Sequence, residues 1–240
     1  MLSKSQIKLI ASLKQKKYRL KHGFFVVEGV KTIKELLKSN LELHMLFTVE
    51  TFNINAKTEV LITERELKQI SFLTTPNKAM AIFKIPKVKP IDKKNLIVAL
   101  DDVRDPGNLG TIIRLCDWFG IKDLICSKAT VDCYNPKVIQ ATMGSITRVN
   151  ISYIDLLDFI THTELPVFGA FMNGENVYQK RLLKKGVLIM GNEANGISKD
   201  LEALIKERIA IPRFGDLKTT ESLNVATATA ILLSEFSRSY

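Results

Sequence analysis

Across residues 5–18 the apolar positions Ile7, Ile10 and Leu13 recur at helical spacing, with Lys8, Lys14, Lys16 and Lys17 elsewhere on the turn. That spacing predicts a helix with one buried stripe. Residues 24–27 (FFVV) form a continuous apolar run, which predicts a buried strand closed by Glu28 and Gly29. Residues 30–38 predict a helix, and residues 43–49, 59–62 and 79–83 predict further strands, with a short helix over 63–69. Together they describe a small α/β domain over residues 1–84. Residues 85–94 (IPKVKPIDKK) are rich in Pro and Lys and have little to bury, as in a linker.

From residue 95 the pattern becomes strand, turn, helix, repeated. Apolar strands are predicted over 95–100, 122–126, 166–171, 187–190 and 208–211, and helices over 110–119, 136–142, 155–162, 201–206 and 223–236. Such alternation implies a parallel sheet covered on both faces. Ligands of such sheets sit beyond the carboxyl ends of the strands. Three loops therefore draw attention. The first, DDVRDPGNLGTIIR (101–114), has a turn at Asp105-Pro106-Gly107, then Asn108 at a helix entrance and Arg114 further on. Arg114 lies between Ile113 and Leu115, so it is expected to be partly buried with a carboxylate partner such as Asp117. The second, MGNEANGIS (190–198), sets Asn192, Glu193 and Asn195 between Gly191 and Gly196. The third, IPRFGDLKTTESLN (211–224), is broken by Pro212 and Gly215 and feeds the last helix. Thr219, Thr220 and Ser222 are its cap candidates, and Asn224 falls in its first turn.

Composition narrows the function classes. No apolar run approaches membrane-spanning length, and the N-terminus has no signal-type apolar core. That N-terminus is basic and acid-poor, which leaves an organellar transit segment open. Cys116, Cys126 and Cys133 form no C-x-x-C pair, which argues against a metal site and a disulfide framework and fits a reducing, cytoplasmic setting. There is neither a G-x-G-x-x-G fingerprint nor a P-loop. The net charge of +10 is uneven. Residues 1–94 hold 19 Lys and Arg against 8 Asp and Glu, and the remainder holds 16 against 17. Such asymmetry points to a polyanionic partner. Within the basic part, Lys16, Lys17, Tyr18, Arg19 and Lys21 cluster as KKYRLK, a pattern suited to phosphate contact and base stacking.

The three loops in order, DPGNLGTIIR, IMGNEANGIS and IPRFGDLKTTESLNVATATAILL, resemble the three signature motifs of the SpoU (TrmH-like) branch of the SPOUT superfamily. These are RNA ribose 2′-O-methyltransferases. The resemblance covers residues 95–240, and YRLKHGFFVVEGVKTIKELL resembles the start of the small substrate-binding domain found before it. It implies a parallel-sheet methyltransferase domain with a C-terminal trefoil knot, a homodimer formed through that domain, and S-adenosylmethionine as cofactor. It implies a cofactor site of Met190, Gly191, Asn192, Glu193, Gly196, Ile211, Pro212, Ser222, Leu223 and Asn224. It implies catalytic roles for Asn108, Arg114, Glu193, Ser222 and Asn224, with no metal. Whether Arg114 deprotonates the hydroxyl or stabilises the developing alkoxide stays open, although an arginine does not normally lose its proton. The two-domain layout favours ribosomal RNA. A transfer-RNA enzyme and a non-catalytic RNA-binding protein of the same fold are the alternatives. Arg213-Phe214 departs from the family pattern and is expected to tune RNA or dimer contacts.

Overall fold

A computed structural model describes residues 2–215 and 222–238. The chain divides into two compact units. One comprises Met1–Lys87 with Asp132–Thr147, the other Val88–Val131 with Arg148–Tyr240. The segment 132–147 lies in the middle of the predicted second domain, yet it packs with the first unit.

The first unit holds α1 (Lys4–Ser12), α2 (Lys16–His22), β1 (Phe24–Glu28), α3 (Val30–Leu37), β2 (Leu43–Thr48), β3 (Glu59–Leu61), α4 (Glu64–Ile70) and β4 (Ala79–Lys84). The strands form a mixed sheet in the order β1-β4-β2-β3, with only β2 and β3 parallel. Its core gathers Ile10, Leu13, Val26, Phe47, Leu67, Ile70, Met80 and Ile82. The helix predicted over 5–18 is two helices. The backbone leaves helical geometry at Gln15, the N-cap of α2, which is extended. Ser3 and Gln6, and Thr63 and Glu66, form reciprocal capping boxes at α1 and α4.

The inserted segment 132–147 contributes α6 (Pro136–Thr142) and a 3₁₀ turn (Ser145–Thr147) to this unit. α6 packs on β1, and Tyr134 lies against Phe25, ring centroids 4.8 Å apart. Val138, Ile139 and Thr142 are buried. At its start Asp132 pairs with Arg19, accepting from Nε at 2.9 Å and also from Nη2. Arg19 Nη1 donates to the carbonyls of Leu13 and Lys14, both at 2.8 Å, and the side chain is 2% exposed.

The second unit holds β5 (Leu96–Leu100), α5 (Pro106–Trp118), β6 (Asp123–Ser127), β7 (Asn150–Ile154), α7 (Leu156–Thr161), β8 (Val167–Asn176), β9 (Gly186–Met190), α8 (Lys199–Glu202), β10 (Glu207–Ala210) and α9 (Val225–Ser237). Its six strands are all parallel, in the order β10-β8-β9-β5-β6-β7. β5 and β9, buried at every position, are central neighbours, so the first two motif loops leave adjacent strand ends. β7 escaped the sequence reading because only Ser152 of its five residues is buried. β8 runs further than expected, and its pairing with β10 jumps from Gly169 to Glu175. Residues 170–174 are thus free of the ladder and bulge from the sheet. Pro106 opens α5 at its first turn, where its missing N–H costs nothing, so the helix starts four residues before the expected boundary. α9 packs against α5 with Val225, Ala226, Thr229, Leu232, Leu233 and Phe236 buried. No helix of the described residues is long and apolar enough to cross a membrane.

Candidate active site

The three motif loops meet in the second unit. After β5, Asp101 is 7% exposed, its N–H donates to the Met190 carbonyl at 2.9 Å, and its carboxylate accepts from Ser198 N–H at 2.8 Å. It therefore ties the first loop to both ends of the second. The second loop closes on itself. Asn192 and Gly196 exchange backbone hydrogen bonds of 2.8 and 2.9 Å, and Asn192 Oδ1 accepts from the N–H groups of Ala194 and Asn195. Asn192 Nδ2 donates to the Asp102 carbonyl at 2.6 Å. Gly191 is required here, since a Cβ would lie 2.2 Å from the Gly196 carbonyl carbon.

Glu193 is aimed at the entrance of α5. Its carboxylate accepts from Asn108 Nδ2 at 3.0 Å and from the N–H groups of Arg104 and Asp105, both at 3.3 Å. Burial opposes the charge on Glu193, but these donors outweigh it and hold the carboxyl below its ordinary range. Asn108 Oδ1 in turn accepts from Asn224 Nδ2 at 2.8 Å. Asn224 Oδ1 accepts from the N–H groups of Ala226 and Thr227, which makes Asn224 the N-cap of α9. It is thus the cap itself rather than a first-turn residue; Thr219 and Thr220 lie outside the described residues. One chain of hydrogen bonds therefore runs from Glu193 through Asn108 and Asn224 into the start of α9. Each amide has its acceptor and donor ends fixed, so the three loops hold one another in register.

Beside this chain opens a cavity of about 1160 Å³. Met190, Gly191, Asn192, Glu193, Gly196, Ile211, Pro212, Ser222, Leu223 and Asn224 all line it. Ala170, Phe171 and Met172 of the β8 bulge and Ala228 and Leu232 of α9 complete the wall. The bulge residues carried no sequence signal beyond an unremarkable run after a strand. Asp101 could have been singled out as an acid at the end of a wholly apolar strand.

Other predicted residues lie elsewhere. Asn108 reaches the chain of amides but does not line the cavity, and neither does Arg114. Contrary to expectation Arg114 is exposed, and its guanidinium has no partner among the described residues. Asp117 is bonded instead by Arg148, at 2.7–2.9 Å. In the KKYRLK cluster, Lys16, Lys17 and Lys21 are exposed and Tyr18 is half-buried. Arg19 must be removed from the candidate RNA contacts. Its guanidinium is buried, and Asp132 and two carbonyls take its hydrogen bonds. Among the described residues there is no cluster of acidic, Cys and His side chains that could hold a metal ion.

A six-stranded parallel sheet with three loops hydrogen-bonded to one another at its strand ends matches the architecture of SPOUT-type methyltransferases. The chain belongs to the SpoU rRNA methylase family, whose model matches residues 95–234. The model of an MRM3-like substrate binding domain matches residues 4–81. The 23S rRNA (guanosine(2553)-2′-O)-methyltransferase RlmP of Bacillus subtilis is 30% identical over 233 residues, covering 92% of this chain and 91% of RlmP. Among solved structures, a TrmH-family protein from Porphyromonas gingivalis is 38% identical with a TM-score of 0.89, covering 98% of both chains. An AdoMet-bound rRNA methyltransferase from Sinorhizobium meliloti is 30% identical with a TM-score of 0.87, covering 98% of this chain and 96% of that one.

Proposed function

We propose that the protein transfers the methyl group of S-adenosylmethionine to a ribose 2′-hydroxyl of ribosomal RNA. The observation that carries this is the chain Glu193–Asn108–Asn224 beside a cavity walled by the second and third motif loops. The walls suit the cofactor's chemistry. It combines a nucleoside, an amino acid and a sulfonium cation. The glycine-containing loops 190–196 and 211–215 offer backbone donors and acceptors, and Leu223, Val225 and Leu232 offer apolar surface. The Glu193 carboxylate, kept ionised by its hydrogen bonds, favours a nearby positive charge. When bound, the cofactor supplies an electrophilic methyl group.

The protein's part is to position and to stabilise charge. The hydrogen-bonded amides fix the mouth of the site before substrate arrives, so little reorganisation is needed during reaction. Arg114 has a guanidinium uncommitted to the described residues, and its role is electrostatic. It stabilises the alkoxide that develops on the ribose and orients a neighbouring phosphate. Lys16, Lys17 and Lys21 supply phosphate contacts to RNA from the first unit, and Tyr18 a surface on which a base can stack. Two copies pair through the knotted second domain, in a reducing cytoplasmic setting. Ribosomal RNA is preferred over transfer RNA because the likeness to RlmP runs through both domains.

Calorimetry with S-adenosylmethionine in excess chelator should show binding, and none at millimolar cofactor would sink the proposal. Mapping of ribose methylation in cells lacking the protein should show one ribosomal 2′-O-methyl group missing. A loss confined to transfer RNA would transfer the assignment to the other substrate.

A further inference from the structure

The mouth of the cavity carries an aromatic surface that the reaction above does not use. Phe214 lines the cavity and is 81% exposed. Its ring stacks with that of half-buried Tyr178, centroids 6.3 Å apart and planes inclined by 30°. Met172, 54% exposed, lines the same cavity. A second hollow of about 330 Å³ shares Met172, Ile211, Pro212 and Arg213 with it. A lone exposed apolar residue is ordinary and needs no explanation. Phe214 differs because its loop also walls the cavity that holds Glu193 and Asn224, and because a second aromatic supports the ring.

A supported aromatic ring open to solvent suits stacking by a flat heterocycle. The deeper apolar wall offers buried surface for a cofactor, whereas Phe214 is almost fully solvent-accessible at the lip. A substrate strand must approach from that outer side to bring a ribose to the site. We propose that Phe214, backed by Tyr178, stacks on a base of the RNA next to the reacting ribose and so sets the substrate's position. This rests on the methyltransferase reading above.

The test uses full-length protein, ribosomal RNA from cells lacking it, and tritiated S-adenosylmethionine. Phe214→Ala should raise KM for RNA roughly 5- to 150-fold, the range expected for one lost base–aromatic stack. Cofactor affinity by calorimetry and the thermal midpoint should hold, and Phe214→Trp should restore KM. An unchanged KM in Phe214→Ala would overturn the proposal. So would a parallel loss of cofactor affinity, which would assign the ring to the cofactor. Wild-type protein that neither binds the cofactor nor methylates the RNA would defeat the methyltransferase reading, and this one with it. A wild type that does both, beside an unaffected variant, would defeat this one alone.

Discussion

Arg19 and Arg114 are both helix arginines, one in each unit, and their surroundings differ sharply. Arg19 is sealed beneath the first unit, with Asp132 and two carbonyls consuming its donors. Arg114 stands in solvent with no partner among the described residues. The carboxylates differ in the same sense. Asp132 is paired with a buried guanidinium, whereas Glu193 is exposed and its hydrogen bonds come from neutral N–H and amide donors. The first unit uses its buried charge to join segments distant in sequence. The second keeps its charges open to solvent, Glu193 in the cavity wall and Arg114 outside it. A polar network that is fully satisfied internally serves the fold, whereas Glu193 and Arg114 leave charge within reach of solvent.

The comparison can be broken most severely by separating the units. Their interleaving in sequence means that a fragment of residues 88–240 keeps 132–147 but loses what that segment packs on. Val138 and Ile139, buried in the whole chain, lose their cover. At roughly 1.5–3 kcal/mol for each buried side chain, with Asp132 also unpaired, the fragment should be destabilised or aggregate. Replacing 132–147 in that fragment by a short Gly/Ser linker should restore a cooperative thermal transition. A fragment that melts like the whole protein without that replacement would show that the segment's packing contributes little.

Within the intact chain, Arg19→Ala should cost about 3–5 kcal/mol in a denaturant titration, because it strands a nearly buried carboxylate. Lys17→Ala and Lys21→Ala, on the same helix but exposed, should leave stability within about 0.5 kcal/mol. They should instead weaken RNA binding and flatten its salt dependence by roughly 0.7–0.9 in slope each. If Arg19→Ala proved as harmless to stability as the lysine variants, the division between buried and available charge would collapse.

Arg114→Ala is the mirror experiment. Stability should change by no more than about 0.5 kcal/mol, since the side chain is exposed. Methyl transfer should fall on the order of a hundred- to a thousandfold, roughly 2.7–4 kcal/mol in the barrier, with cofactor affinity retained. A well-folded variant with near-normal turnover would remove Arg114 from the reaction.

These contrasts also mark what could be read in advance. The parallel sheet was legible because β5 and β9 are unbroken apolar runs. The loops were legible because Gly191, Pro212, Gly215 and the amides stand in the order of the SpoU motifs, and the ten cofactor-site residues implied by that resemblance line one cavity. Arg19 was misread because KKYRLK is basic as a string, while a helix distributes the string around its axis and turns position 19 inward. Its partner lies 113 residues away, and no local pattern announces it. The β8 bulge, which brings Phe171 and Met172 to the cavity, depends on a register jump against β10 and is invisible along the chain.

The smallest expected effect separates two glutamates by sign. Burial is the main influence on Glu28 and raises its carboxyl above the ordinary range, although Ser71 Oγ and Phe72 N–H donate to it at 2.5 and 2.8 Å. A raised carboxyl contributes stability that is present below the unfolded pKa and is lost as pH rises through the folded value. Glu193 is lowered, so its contribution is present above the unfolded pKa and is lost as pH falls through the folded value. The two substitutions to Gln should therefore differ in slope. Relative to wild type, Glu28→Gln should gain stability as pH rises through the carboxylate range towards neutrality. Glu193→Gln should gain as pH falls through the same range towards its acid end. Because Glu193 is exposed, solvent damps its slope, and differential melts at closely spaced pH values are the measurement to use. Slopes of the same sign would mean that the hydrogen bonds at Glu193 do not outweigh its burial. The carboxylate in the cavity wall would then be no better prepared to hold a charge than the half-buried one in the first unit.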